Sequence, residues 1–171
     1  MAHIRQKFTA DAHMNGYNRK KYVWKILYIY MLGYEVDFGH MQVISLITGL
    51  KLSEKQVGYL AITLLVQQSD ELMRMVINGV RNDLLKGSNF VKSMAITCIA
   101  NTRYPQLAEV VGPEVYKILV DVKTPHTLRK KAAVCLLVIT KLTPDTPFPE
   151  EWLPQTVELV EHRSLGVVIS V

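Results

Sequence analysis

A helical hydrophobic pattern that returns after thirty-seven residues constrains this chain more than any other feature. Phe90-Val91-Lys92-Ser93-Met94-Ala95-Ile96-Thr97-Cys98-Ile99, set above Thr127-Leu128-Arg129-Lys130-Lys131-Ala132-Ala133-Val134-Cys135-Leu136, pairs Val91 with Leu128, Lys92 with Arg129, Ala95 with Ala132 and Cys98 with Cys135. The same shift carries Leu128 to Leu165 and Ala132 to Ile169, and backwards it takes Ala95 to Gly58. Small residues recur where two helices must approach closely, and the two cysteines fall at equivalent core positions. A period of this length with two helices per unit is the signature of an α-solenoid, whose repeats bury their apolar faces against their neighbours.

The local signals agree with that architecture. Asn18 is the expected N-cap of a helix through Val23-Trp24-Lys25-Ile26-Leu27-Tyr28 that stops at Gly33. Asp37 is expected to cap a helix to Thr48, and Ser53-Glu54-Lys55-Gln56 has capping-box form ahead of a helix to Val66. Ser69 or Asp70 starts a helix ending at Lys86-Gly87, and Ser88 caps one to Ala100. Pro105 and Pro113 fit the first turns of two shorter helices, and Thr124-Pro125 opens a long one to Leu142. Pro144, Pro147, Pro149 and Pro154 then break the pattern into a loop and a late-starting helix. No alternating apolar and polar segments flank a hairpin turn, so strands are not expected. Pro125, Leu128, Arg129 and Ala132 resemble the second-helix pattern of HEAT repeats. The fold class is therefore all-α: a right-handed α-solenoid of HEAT/armadillo-like helix pairs, forming one segment over residues 1–171. Leu165-Gly166-Val167-Val168-Ile169-Ser170-Val171 reads as the start of a helix without its polar end. The solenoid is thus expected to be truncated there, as part of a longer array with an exposed apolar terminus.

Composition removes several function classes. The 171 residues, 49% of them hydrophobic, suffice for a real core and argue against disorder. Cys98 and Cys135 sit in apolar helical stretches, where buried free thiols in a reducing compartment are expected rather than a disulfide framework or a zinc site. Met1-Ala2-His3-Ile4-Arg5 leads into polar residues unlike a signal peptide, and the apolar runs fall short of a bilayer span of about 20 residues. A cytosolic protein that touches a membrane only from outside is expected. Asp37-Phe38-Gly39 spells a kinase metal-binding triplet, but neither a His-Arg-Asp catalytic loop nor a glycine-rich loop accompanies it. His3, His13, His40, His126 and His162 are scattered with no metal-ligand spacing, and neither cysteine has a neighbouring base. No enzyme activity, cofactor or metal is expected.

Charge is the remaining clue. Up to Gly33 the chain carries Arg5, Lys7, Arg19, Lys20, Lys21 and Lys25 against Asp11 alone, which accounts for the whole net charge of +5. Such localisation points to an anionic partner. With Asn18 as N-cap, Arg19, Lys20 and Lys21 would oppose the positive end of the helix dipole, with no acid one turn on to compensate. An anion would relieve that conflict: backbone N–H groups at the helix start bind phosphate, and Tyr17 and Tyr22 add hydroxyl donors. The second basic run, Arg129-Lys130-Lys131, coincides with the repeat position of Lys92 and is expected to serve the repeat lattice. The Tyr and Met residues between Val23 and Leu32 lie at helical spacing and are expected in the core, and nucleic-acid binding is disfavoured by the short, localised charge and the lack of an aromatic stripe or a basic helix-long face.

With these segments placed, nearly the whole chain resembles the N-terminal trunk of the large adaptins, and of the alpha type in particular. The resemblance rests on Ile4-Arg5-Gln6-Lys7-Phe8, Gly16-Tyr17-Asn18-Arg19-Lys20-Lys21-Tyr22-Val23, Asp37-Phe38-Gly39-His40-Met41, Glu54-Lys55-Gln56-Val57-Gly58-Tyr59-Leu60, Arg81-Asn82-Asp83-Leu84 and Leu165-Gly166-Val167-Val168. It implies a non-catalytic solenoid trunk in clathrin-mediated endocytosis, peripheral on the cytosolic face of the plasma membrane. It further implies small, medium and second large adaptin partners, with clathrin engaged only through regions outside this chain. It also implies a phosphoinositide site, for phosphatidylinositol 4,5-bisphosphate or a related headgroup, whose ligands fall on Lys7, Tyr17, Lys20, Lys21, Tyr22 and Lys25. Arg19 stands where the family usually carries lysine, and Trp24 where it carries a smaller residue. The alternative is a HEAT-repeat scaffold, another adaptin or an unrelated protein, whose basic end binds an acidic protein.

Overall fold

The computed structural model describes residues 1–10, 14–65, 70–102, 104–144 and 149–171, and among them every regular element is helical. The expected helix end at Val66, the alternative cap Ser69 and the break at Pro147 lie outside the described residues. Contacts group the chain into two compact units, Met1–Val80 and Arg81–Val171.

In the first unit, α1 (Ala2–Ala10) is a helix that the periodicity does not announce. Its apolar contribution to the rest of the unit is the buried Ile4 and the half-buried Phe8, one turn apart. Helix α2 (Gly16–Met31) begins three residues before the expected start, because the Asn15 side chain, not that of Asn18, caps it by accepting from the Asn18 N–H at 2.9 Å. Its end is the expected one. Gly33, at φ 89°, lets the Gly33 N–H reach the Tyr30 carbonyl and the Tyr34 N–H reach the Ile29 carbonyl, the paired bonds of a Schellman motif. Helix α3 (His40–Thr48) is capped by Gly39 in a left-handed conformation rather than by Asp37, whose carboxylate instead pairs with the Arg5 guanidinium. Helix α4 (Leu52–Leu65) takes Ser53 into its first turn, so the expected capping box does not form. Val23, Ile26 and Leu27 of α2, Val43, Leu46 and Ile47 of α3, and Val57, Ala61 and Ile62 of α4 make the core where these three helices pack. Gly58 permits a close approach of α4 to α3: a Cβ there would lie 2.8 Å from Ile47 Cγ2 and 3.0 Å from its backbone nitrogen. The small position read from the repeat is thus a real helix crossing.

Helix α5 (Asp70–Lys86) contains the division between the units and ends at Gly87 as expected. In the second unit follow α6 (Asn89–Thr102), α7 (Pro105–Val120) and α8 (His126–Leu142). Pro113 does not split α7 into two helices. Val111, Gly112, Glu114, Val115 and Tyr116 around it are all buried, and that packing outweighs the backbone hydrogen bond a proline removes. Helices α6 and α8 pack on each other and on α7. Three of the four paired repeat positions are interior in both helices, Val91 and Leu128, Ala95 and Ala132, Cys98 and Cys135, whereas Lys92 is only half-buried where Arg129 is buried. Both thiols are free, and burial pushes Cys98 up to about 11 and Cys135 up to about 12.

The second basic run serves this lattice, as its repeat position implied. Arg129 is buried and donates through Nε to the Leu119 carbonyl at 2.7 Å, while Lys131 reaches from α8 to Ser93 Oγ of α6 at 2.7 Å. Short helices α9 (Leu153–Glu158) and α10 (Leu165–Ser170), with 3₁₀ turns beside α9, complete the unit. Trp152 stacks on Tyr116 with ring centroids 4.3 Å apart. In α10, Val167 is buried while Leu165 and Ile169 are exposed, so the repeat register does not carry the burial of Leu128 and Ala132 into this helix. The exposed apolar end is as expected.

Candidate anion-binding face of the second helix

Helix α2 sorts the expected ligands by their spacing. Tyr17, Lys21, Lys25 and Tyr28 recur at about one, two and three turns, and all four are exposed. Among the described residues Lys7, Lys21 and Lys25 form no ion pair, and α2 itself contains no acidic residue. These ammonium groups are available to an anion.

The other expected ligands are less free. Arg19 faces α3, where its Nε donates to Gln42 Oε1 at 2.8 Å, away from the Lys21 and Lys25 face. Lys20 is half-buried and leans toward α4, with Nζ 3.4 Å from Ser53 Oγ, a contact weak enough to exchange. Tyr22 is half-buried against Phe8 of α1 in an edge-to-face contact with centroids 6.1 Å apart, and Lys25 Nζ sits 5.2 Å from its ring centroid. Lys7 is exposed in the last turn of α1, next to that Phe8. The structure therefore brings Tyr22 and Lys25 together, anchors the Lys7 helix to them through Phe8, and sets Arg19 apart. Arg5, the sixth basic residue of this end, is committed to Asp37 and lies 4.9 Å over the Phe38 ring.

The helix start itself is not the vacant phosphate cradle expected from the sequence. Since α2 begins at Gly16, Arg19, Lys20 and Lys21 stand beyond its first three residues, where the dipole penalty is smaller. The carboxylate of Glu54 lies beside this helix start: a Cβ on Gly16 would lie 2.2 Å from Glu54 Oε1, and one on Gly49 would lie 2.8 Å from Oε2. Glu54 is the residue that sequence reasoning missed. Its place in an apparent capping box assigned it to its own helix, whereas Gly16 and Gly49 leave room for it at the start of another. Trp24 lies on the exposed face, 45% accessible, so its bulk does not disturb the core. Among the described residues no three His, Cys, Asp or Glu side chains converge as a metal site, and no helix is long and apolar enough to cross a membrane.

Stacked helix pairs with a basic, aromatic first face define a helical-repeat trunk. The model of the adaptin N-terminal region matches residues 1–171, and the chain belongs to that family. It is 42% identical over 171 residues to the AP-2 complex subunit alpha of Schizosaccharomyces pombe, covering 100% of this chain and 19% of that one. It is 39% identical over 170 residues to AP-2 complex subunit alpha-1 of Arabidopsis thaliana, covering 99% of this chain and 17% of the relative. The chain thus spans under a fifth of the length of these relatives. A chain of a homology model of the full-length AP-3 complex in an intermediate open conformation shares the fold, with a TM-score of 0.73 at 19% identity over 91% of this chain and 27% of that one.

Proposed function

We propose that this chain is one segment of the trunk of an alpha-type large adaptin, a non-catalytic subunit that docks to phosphoinositide headgroups on the cytosolic face of the plasma membrane. The single observation that carries the docking reading is the face of α2 on which Tyr17, Lys21 and Lys25 are exposed and free of carboxylate partners, at the end of the chain that holds its whole net charge. Lys21 and Lys25 pair with phosphates of phosphatidylinositol 4,5-bisphosphate or a related lipid. Lys7 and Lys20 extend the site, Tyr17 and Tyr22 orient the headgroup, and Arg19 adds long-range attraction from its place against Gln42. At about 1 kcal/mol per basic residue near an anionic leaflet, docking is reversible and salt-sensitive. Stable recruitment then needs further contacts, supplied through effective concentration by the small, medium and second large subunits of a clathrin-coat adaptor and their cargo. Likeness to AP-2 alpha subunits supports this assignment.

The test is sedimentation of the chain with phosphatidylcholine vesicles with and without phosphatidylinositol 4,5-bisphosphate. Lys21→Gln with Lys25→Gln is expected to abolish the bisphosphate-dependent fraction, and Arg19→Gln to reduce it only slightly. Unchanged binding by the double variant would reject the site.

A further inference from the structure

The same helix face carries more than charge. Tyr17, Trp24 and Tyr28 are 66%, 45% and 60% exposed, so Tyr28 is not the core residue its spacing suggested, and with Lys21 and Lys25 between them the three rings form an aromatic stripe where the sequence led us to expect none. Exposed aromatic area of this extent is unusual on a soluble surface and marks an interaction site. Trp24 and Tyr28 also border a shallow open cleft with Ile4, Lys25 and Ile29.

We infer that the Trp24 and Tyr28 rings enter the headgroup and acyl boundary of an anionic bilayer, with α2 lying along the membrane plane. This rests on the phosphoinositide reading and adds an apolar anchor to it. The choice of occupant follows from the residue types. Trp and Tyr place an apolar ring beneath a polar N–H or O–H, the combination favoured at membrane interfaces. Lysines alternating with them keep their ammonium groups at phosphate level while their methylene stems follow the rings inward. The stripe from Tyr17 to Tyr28 is about 17 Å of helix, and no carboxylate on α2 opposes an anionic surface. Salt separates the two contributions: the lysine term is screened, whereas burial of the rings is not.

The experiment uses the full chain carrying Trp152→Phe, which leaves Trp24 as its one tryptophan. It is mixed with phosphatidylcholine vesicles containing phosphatidylserine and phosphatidylinositol 4,5-bisphosphate, with and without bromine-labelled acyl chains. Sedimentation, Trp24 emission and iodide quenching are recorded at low and high salt. Insertion predicts a blue shift, quenching by bromine and protection from iodide. In otherwise native protein, Trp24→Ser with Tyr28→Ser is expected to weaken binding about tenfold at high salt and to leave helicity and melting temperature unchanged. Sedimentation with no shift and no bromine quenching overturns insertion and leaves phosphate docking standing. Absence of sedimentation at either salt overturns both. A blue shift that grows with protein concentration before vesicles are added assigns the face to a second copy of the chain and overturns the inference.

Discussion

The Glu54 carboxylate lies against Gly16, where a side chain on residue 16 would collide with it: a Cβ would stand 2.2 Å from Oε1. An acid from α4 thereby balances the positive end of α2, and Lys51 Nζ, 3.9 Å away, is its only ion-pair partner among the described residues. The molecule thus sets one of its own carboxylates beside the start of α2.

Glu54→Gln separates these effects. Removing the charge from the helix start is expected to lower the stability of the chain by about 0.5–1 kcal/mol in urea denaturation. The same change raises the positive potential around Lys20 and Lys21, so affinity for a soluble inositol polyphosphate should rise about two- to fivefold at low salt and converge with the unmodified chain at high salt. Weaker anion binding by a folded Glu54→Gln chain would mean that Glu54 organises the site instead of competing with its ligand.

Gly58→Ala tests the crossing of α3 and α4. Alanine gains about 1 kcal/mol over glycine within a helix. Here the added methyl meets the Ile47 side chain at 2.8 Å and the Ile47 backbone at 3.0 Å, and backbone cannot step aside as a flexible side chain can. Overpacking of about 2–3 kcal/mol should win, leaving a net loss of about 1–2 kcal/mol, read as a lower urea midpoint with an unchanged slope. A stabilised variant would show that the two helices are free to separate.

Periodicity made the helices and the repeat legible because burial imposes it: Val91, Ala95 and Cys98 are interior for the same reason as Leu128, Ala132 and Cys135. Capping was less legible. Asn18, Asp37 and Ser53 each have the composition of an N-cap, but the first is replaced by Asn15, the second is drawn to Arg5, and the third lies within its helix. Each choice depends on a neighbour that is distant or merely possible in sequence. Pro113 misled for a similar reason, since the packing that carries α7 through it comes from tertiary contacts. Of the expected site, charge and location could be read directly. That Arg19 turns to Gln42 and that Glu54 lies against the start of α2 could not, because both depend on which helix packs beside α2.

His162 gives the second unit a pH dependence of known sign. Partial burial, followed by the Arg129 and His126 charges, holds its pKa below the ordinary histidine value. Arg129 Nη1 lies 2.9 Å from His162 Nε2, and the His126 ring meets it edge-on at 5.0 Å. The folded chain therefore resists a proton that the unfolded chain accepts. Stability should be full above about pH 7, begin to fall as pH drops through about 6.5, and keep falling until the folded state is also protonated. His162→Gln is expected to flatten a plot of urea midpoint against pH over the slightly acidic range. An identical slope in the variant would transfer the effect to another group.

The two thiols offer a reading of whether the repeat core stays closed. Burial raises Cys98 to about 11 and Cys135 to about 12, and the nucleophile toward a disulfide reagent is the thiolate. At pH 8 an ordinary cysteine is roughly one-quarter thiolate, whereas these groups hold about a thousandth or less, before steric exclusion is counted. Mixed with a chromogenic disulfide reagent, the folded chain should react more than a hundredfold slower than a cysteine peptide. Both thiols should then be released together as urea crosses the unfolding midpoint of the second unit, because they are buried at equivalent positions of α6 and α8, which pack on each other. Fast labelling of Cys98 alone in native buffer would mean that α6 opens without α8, and the paired repeat positions would no longer describe a single cooperative core.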